Sequence, residues 1–222
     1  MTACRPSLAN SRYQNFSRRK ATGFSTPRYR GAWESGGEFL ACSPHKDILD
    51  VIGELNRPIR EAAFGQTFSL APDRIFVIGG SFGGPAAILA SLDPRVKRVI
   101  ANCPVVDWSI LRGAEKAETS NSSYAAYIRE AFGQAYRLSD KNWKKLYTGT
   151  YYNPVHHVNQ IDPSKILMFH AKDDPNIPWR SVDRFAKKTG VKLKLLARGG
   201  HVRTEYIVRR YWPQIQKFFQ RP

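Results

Sequence analysis

Cysteine is scarce, acidic residues are few, and long apolar runs are missing. The three cysteines, Cys4, Cys42 and Cys103, are odd in number and far apart, with no CxxC pair. That excludes a disulfide framework and any zinc site encoded by local spacing, and it fits a reducing compartment. No stretch approaches the roughly 18 consecutive apolar residues of a membrane span, and no apolar block near the start resembles a secretory leader. A soluble chain in the cytoplasm is therefore expected. Only 18 Asp and Glu stand against 35 Lys and Arg, which leaves a formal net charge of +17. Such a field attracts polyanions at long range. Yet there is no RNP-like aromatic signature, no zinc-finger spacing and no basic run longer than Arg18-Arg19-Lys20. No specific nucleic-acid partner is expected.

What is present is enough for a core. At 222 residues with 42% hydrophobic side chains, one domain is the expectation, since α/β folds often exceed 200 residues in one unit. Residues 1–33 contain no acidic side chain but carry Arg5, Arg12, Arg18, Arg19, Lys20, Arg28 and Arg30. That composition suits a poorly ordered arm, an organellar transit segment or an incomplete start. Residues 34–222 are expected to form the folded domain.

From about residue 44 the pattern alternates between two periods. Ile48, Val51, Ile52 and Leu55 recur at i, i+3, i+4, i+7, which predicts an amphipathic helix after Ser43-Pro44. Residues 73–79 form a short, apolar run as expected of a strand buried on both faces of a parallel sheet. A helix is expected over 85–92, then a strand over 96–103. A long polar stretch, about 109–160, is mostly helical in pattern and reads as a lid-like insertion. A strand over 165–170, a helix over 181–188, a strand over 191–197 and one helix over 204–219 complete the series. Alternating βαβα elements predict the α/β class, a mainly parallel sheet flanked by helices, with a helical insertion.

The chemistry lies in Gly79-Gly80-Ser81-Phe82-Gly83-Gly84, a G-x-S-x-G pattern between predicted strand and predicted helix. A turn that tight needs glycine where a Cβ would strike the adjoining strand or helix. It exposes the Ser81 hydroxyl and leaves the Phe82 N–H at a helix N-terminus, where it can meet a developing oxyanion. The bland alternative is a glycine turn that only packs or that cradles phosphate. A serine nucleophile needs an imidazole base and a carboxylate to hold it, in the chain order Ser, Asp/Glu, His. Asp174 lies in the polar loop after the 165–170 strand and is the expected acid, with its neighbour Asp173 the next choice. Among the five histidines, His45 precedes the serine, His156 and His157 precede the acid, and His170 ends a strand. Only His201 follows Asp174, directly after Gly199-Gly200, so His201 is the expected base.

The chain resembles the prolyl oligopeptidase branch of the α/β-hydrolases over roughly residues 28–220. The resemblance rests on Arg28-Tyr29-Arg30-Gly31 with Gly36-Gly37-Glu38-Phe39, the 47–55 helix, Asp73-Arg74-Ile75 leading into the glycine-serine turn, the loop from His170 to Pro178, and Gly200-His201 before a terminal helix. It implies a serine hydrolase that cleaves an ester or short-peptide bond through an acyl-enzyme, with Ser81 as nucleophile, Asp174 as acid and His201 as base. It implies no metal and no organic cofactor. Residues 1–27 hold no His-Gly-Gly-type turn for a second oxyanion donor, which leaves the inactive homologue, a binding or scaffold module, as the alternative. Tyr124, Tyr127, Phe132, Tyr136, Trp143, Tyr147, Tyr151 and Tyr152 give the insertion an aromatic set, read first as packing and second as a pocket lining.

Overall fold

A computed structural model describes residues 23–61, 63–109 and 135–221. Helix α1 spans Pro44–Glu54, the two-residue strands β1 (Ile59–Arg60) and β2 (Thr67–Phe68) pair antiparallel, and β3 runs over Ile75–Gly80. Helix α2 (Gly83–Ala90), strand β4 (Val96–Asn102) and short helix α3 (Asp140–Lys144) follow. Strand β5 (Ile166–Ala171), helix α4 (Trp179–Thr189), strand β6 (Lys192–Leu196), α5 (Thr204–Arg210) and α6 (Trp212–Phe219) complete the order. The four long strands form one parallel sheet in the order β3-β4-β5-β6, so the expected fold class is the observed one.

Side chains alternate across a strand, and that alternation splits the core in two. Val99, Ala101, Ile166 and Met168 face one layer with Ile52 of α1, Ala86 to Ala90 of α2 and Val182 and Phe185 of α4. Ile100, Leu167 and Phe169 face the other with Ile207 and Val208 of α5 and Ile215 and Phe218 of α6. Fully burying one such side chain is worth roughly 1.5–3 kcal/mol, so both layers hold the sheet. All six residues of β5 are buried, whereas all six of β3 are half-buried. Position explains the contrast, because β5 has a neighbour on each side and β3, among the described residues, lies at the edge of the sheet.

The single helix expected over 204–219 is two. Tyr211 leaves helical geometry at φ −110°, ψ 19°, because Pro213 has no N–H for the Arg209 carbonyl and its ring crowds that group. The β1–β2 hairpin lies in a stretch to which the sequence assigned nothing. Of the 109–160 segment, residues 110–134 fall outside the described residues, and with them Tyr124, Tyr127 and Phe132. The remainder uses short helical pieces: α3, capped by the Ser139 hydroxyl on the Asn142 N–H, and 3-10 turns at Lys145–Tyr147 and Pro154–Gln160. Of the basic N-terminal stretch, residues 1–22 are likewise outside. Farther along it, Ala32 is buried and bridges to Tyr136, and the Arg137 guanidinium donates to the carbonyls of Trp33 and Gly37 at 3.0 Å. Among the described residues no helix is long and apolar enough to cross a membrane.

Candidate active site

Ser81 follows the last residue of β3 and sits at φ +50°, a left-handed conformation that ordinary side chains rarely adopt. Its N–H donates to the Asn102 carbonyl at 2.8 Å and its carbonyl accepts from the Gly84 N–H at 3.0 Å, which close the turn between strand and helix. The glycines before it are required by space. A Cβ on Gly79 would stand 2.1 Å from the Gly83 carbonyl oxygen, and one on Gly80 would stand 2.0 Å from Thr204 Oγ1. Phe82 occupies the N-cap of α2, where the first N–H groups of a helix have no intrahelical acceptor. Its ring packs against Tyr29, Phe39, Trp108 and Tyr152, and its carbonyl accepts from the Tyr152 hydroxyl. These four rings form the packed back wall of the elbow, and Tyr152, the one among them that belongs to the insertion's aromatic set, thereby takes the packing role.

Asp174 lies in the loop after β5 with its carboxylate fully covered. One oxygen, Oδ1, accepts from the N–H groups of Asn176 at 2.9 Å and Ile177 at 3.1 Å. The other, Oδ2, meets His201 Nδ1 at 2.9 Å. Burial pushes the Asp174 carboxyl up, but the His201 hydrogen bond and the two amides outweigh it, and the net direction is down. Asp173 does something different. It accepts from the N–H groups of Gly199 at 3.2 Å and Gly200 at 2.8 Å, so it fixes the turn that presents His201 while its neighbour meets the imidazole.

That turn is carried back across the sheet. His201 follows β6 at the far edge, yet the Asn102 side-chain amide donates to the Val202 carbonyl at 2.7 Å and to Thr204 Oγ1 at 3.4 Å. Asn102 is 1% exposed and is the last residue of β4. Its carbonyl holds the Ser81 turn and its side chain holds the His201 loop, so one residue ties both to a single point. Sequence reasoning missed it, although its place at the carboxyl end of a central strand, one residue before Cys103, marks the edge where α/β sites form.

Cys103 and His170 were also passed over as functional groups. Cys103 is buried at φ +44°. Burial first, then the Asp174 charge and a hydrogen bond to it, pushes its thiol up to about 12. His170 is fully buried at the end of β5, donates from Nε2 to the Ile177 carbonyl at 3.0 Å and has that nitrogen 3.7 Å from Asp174 Oδ2. Burial holds its imidazole below the usual range, so it is neutral. His45 lies on α1, where its Nδ1 shares a 2.8 Å hydrogen bond with Ser43 Oγ, and His157 meets the Gln160 side chain at 3.1 Å in the Pro154–Gln160 turn.

Residues 60–221 match the sequence model of the prolyl oligopeptidase family. The chain belongs to that family. No curated protein sequence matches it. Among solved structures, an esterase of Pyrococcus furiosus superposes with a TM-score of 0.62 at 19% identity, covering 93% of this chain and 72% of the esterase. The α/β-hydrolase GrgF of a Penicillium species gives 0.66 at 15% identity over 98% of this chain and 86% of its own. An acylaminoacyl peptidase of Pyrococcus horikoshii gives 0.51 at 18% identity over 88% of this chain and 32% of its own. Those likenesses carry the α/β-hydrolase fold, and membership of the family makes the protein a hydrolase.

Proposed function

We propose that this member of the prolyl oligopeptidase family is a serine hydrolase that cleaves an ester or short-peptide bond through an acyl-enzyme. The observation that carries the reading is the 2.9 Å contact of His201 Nδ1 with a covered, amide-anchored Asp174 carboxylate, on a loop pinned against the Ser81 turn through Asn102. With Nδ1–H held by Asp174, His201 keeps Nε2 unprotonated for Ser81. The Ser81 oxygen attacks the substrate carbonyl carbon as its proton passes to Nε2. The carbonyl oxygen takes the negative charge and meets the Phe82 N–H at the start of α2. Collapse of the tetrahedral adduct expels the alkoxide or amine, which takes the proton from Nε2. A water molecule then repeats the sequence on the acyl-enzyme, returning Ser81 and releasing the acid. No step calls on a metal or an organic cofactor.

The deciding experiment is fluorophosphonate labelling of the purified protein, with peptide mapping of the adduct. An adduct on Ser81 that vanishes in Ser81→Ala and falls sharply in His201→Ala is expected. A folded protein that takes no adduct overturns the reading and leaves a catalytically silent homologue acting as a binding or scaffold module.

A further inference from the structure

Three side chains beside the proposed triad form a donor set of their own. Cys103 Sγ, one ring nitrogen of His170 and one carboxylate oxygen of Asp174 all lie within 4.8 Å of one another. Cys103 and His170 are 0% exposed, and the Asp174 carboxylate is equally covered. His170 Nε2–H donates to the Ile177 carbonyl, which fixes the tautomer and leaves Nδ1 as a bare lone pair. That Nδ1 is buried and finds no hydrogen-bond partner. A buried polar atom left without a partner is uncommon in folded proteins and calls for an explanation. An imidazole anchored through one nitrogen on a backbone carbonyl, with the other nitrogen unprotonated, is the arrangement by which proteins present histidine to a metal.

We propose that Cys103, His170 and Asp174 bind a thiophilic divalent cation of the zinc class, and that its binding switches the hydrolase off by taking Asp174 Oδ2 from His201. The inhibitory half rests on the triad reading above, whereas the binding half does not. A thiolate, an imidazole and a carboxylate suit zinc or cadmium and disfavour magnesium or calcium. Donors at zinc bond lengths of about 2.0–2.3 Å sit roughly 3.3–3.8 Å apart, so closing the set asks for shifts of about 1 Å. Binding breaks the Cys103 S–H bond, forms an S–metal bond and releases one proton to water. The thiolate and the Asp174 carboxylate then neutralise the two positive charges, as a covered site requires. Oδ1 of Asp174 already accepts two amides, so cation and imidazole compete for Oδ2. His201, with its side chain a quarter exposed, is the group whose displacement opens the way in.

The test uses the full chain with Cys4→Ser and Cys42→Ser, so that Cys103 is its one thiol, titrated with cadmium. A thiolate-to-cadmium charge-transfer band that saturates at one equivalent is expected. Cys103→Ser should abolish it, and His170→Gln should weaken binding on the order of 100-fold, with circular dichroism to check the fold of each. Saturating zinc should slow fluorophosphonate labelling of Ser81 at least about tenfold, reversed by a chelator. No cadmium band overturns the site. A band without slowing overturns the switch, and equal slowing in Cys103→Ser or, should that variant not fold, in His170→Gln places the metal elsewhere and overturns the proposal. If the metal-free protein takes no label, the hydrolase reading fails while the band still decides the site.

Discussion

Ser81 holds φ +50° with a full side chain, a conformation that costs of order 1–3 kcal/mol and persists only where its surroundings impose it. Glycine adopts the same geometry freely. Ser81→Gly should therefore raise the urea midpoint, by about 1 kcal/mol of stability, while abolishing fluorophosphonate labelling. A variant less stable than the parent would show that the serine is not strained. The paired carboxylates divide at the same scale. Asp174→Asn replaces the acceptor of His201 Nδ1 with an amide that favours the wrong tautomer, and labelling should slow about 10³–10⁴-fold. Asp173→Asn touches only the Gly199–Gly200 turn and should slow it far less, so equal losses in the two variants would contradict the division. The candidates Ser81, Asp174 and His201 could be singled out because chain order and flanking strands are written in the sequence, and the structure brings Asp174 and His201 into contact. The donor set of Cys103, His170 and Asp174 could not be, since its members come from different loops and strand ends and their spacing along the chain carries no signal.

Between elements, Asn102 at the end of β4 is the joint. Its carbonyl accepts the Ser81 N–H and its side chain donates to the loop that bears His201. Asn102→Ala keeps the first contact and removes the second. The expected outcome is labelling slowed about 10–100-fold with little change in the far-ultraviolet spectrum. Labelling at the parent rate would mean that Asp173 and Asp174 hold the loop unaided. Strands β3, β4 and β5 were readable as short, mainly apolar runs bounded by turn residues, and β6, half-exposed with two lysines, as the last extended segment before Gly199-Gly200. The break at Tyr211 was not readable, because the apolar stripe of α5 continues into α6 and hides the effect of Pro213. Two-residue strands such as β1 and β2 are too short to show any period, so that hairpin rests on pairing that only the folded chain reveals.

Across the molecule, burial withholds protons from two histidines. His45 is pulled down to about 4, by burial first and then by the charges of Lys46 and His157, and His170 is lowered by its burial. In the unfolded chain each titrates at 6.5, so below that pH the unfolded state binds protons that the folded state refuses. Stability must then fall as pH drops from about 6.5 to 4 on account of His45, by up to about 1.4 kcal/mol per pH unit, and His170 deepens the fall below 6.5. The lowered carboxyls of Asp93, Asp162 and Asp174 add to the loss at still lower pH, while Asp47, raised by burial, opposes it just above the carboxylate range. Thermal unfolding at stepped pH should show the decline, and His45→Gln should flatten it. An unchanged slope in that variant would mean that the ring is not held neutral by the fold.

The strand order β3-β4-β5-β6 sets the two halves of the proposed site on opposite margins of the sheet. Ser81 leaves one edge of the sheet, the β6 chain that leads to His201 leaves the other, and three strand spacings of about 4.8 Å separate those edges. The supports of the proposed site are thus drawn from both margins of the sheet, like a chord across an arch, and no single foldon contains them. Partial unfolding at either margin should silence the enzyme, so activity and global structure should melt along one curve, which makes turnover a gauge of the whole architecture.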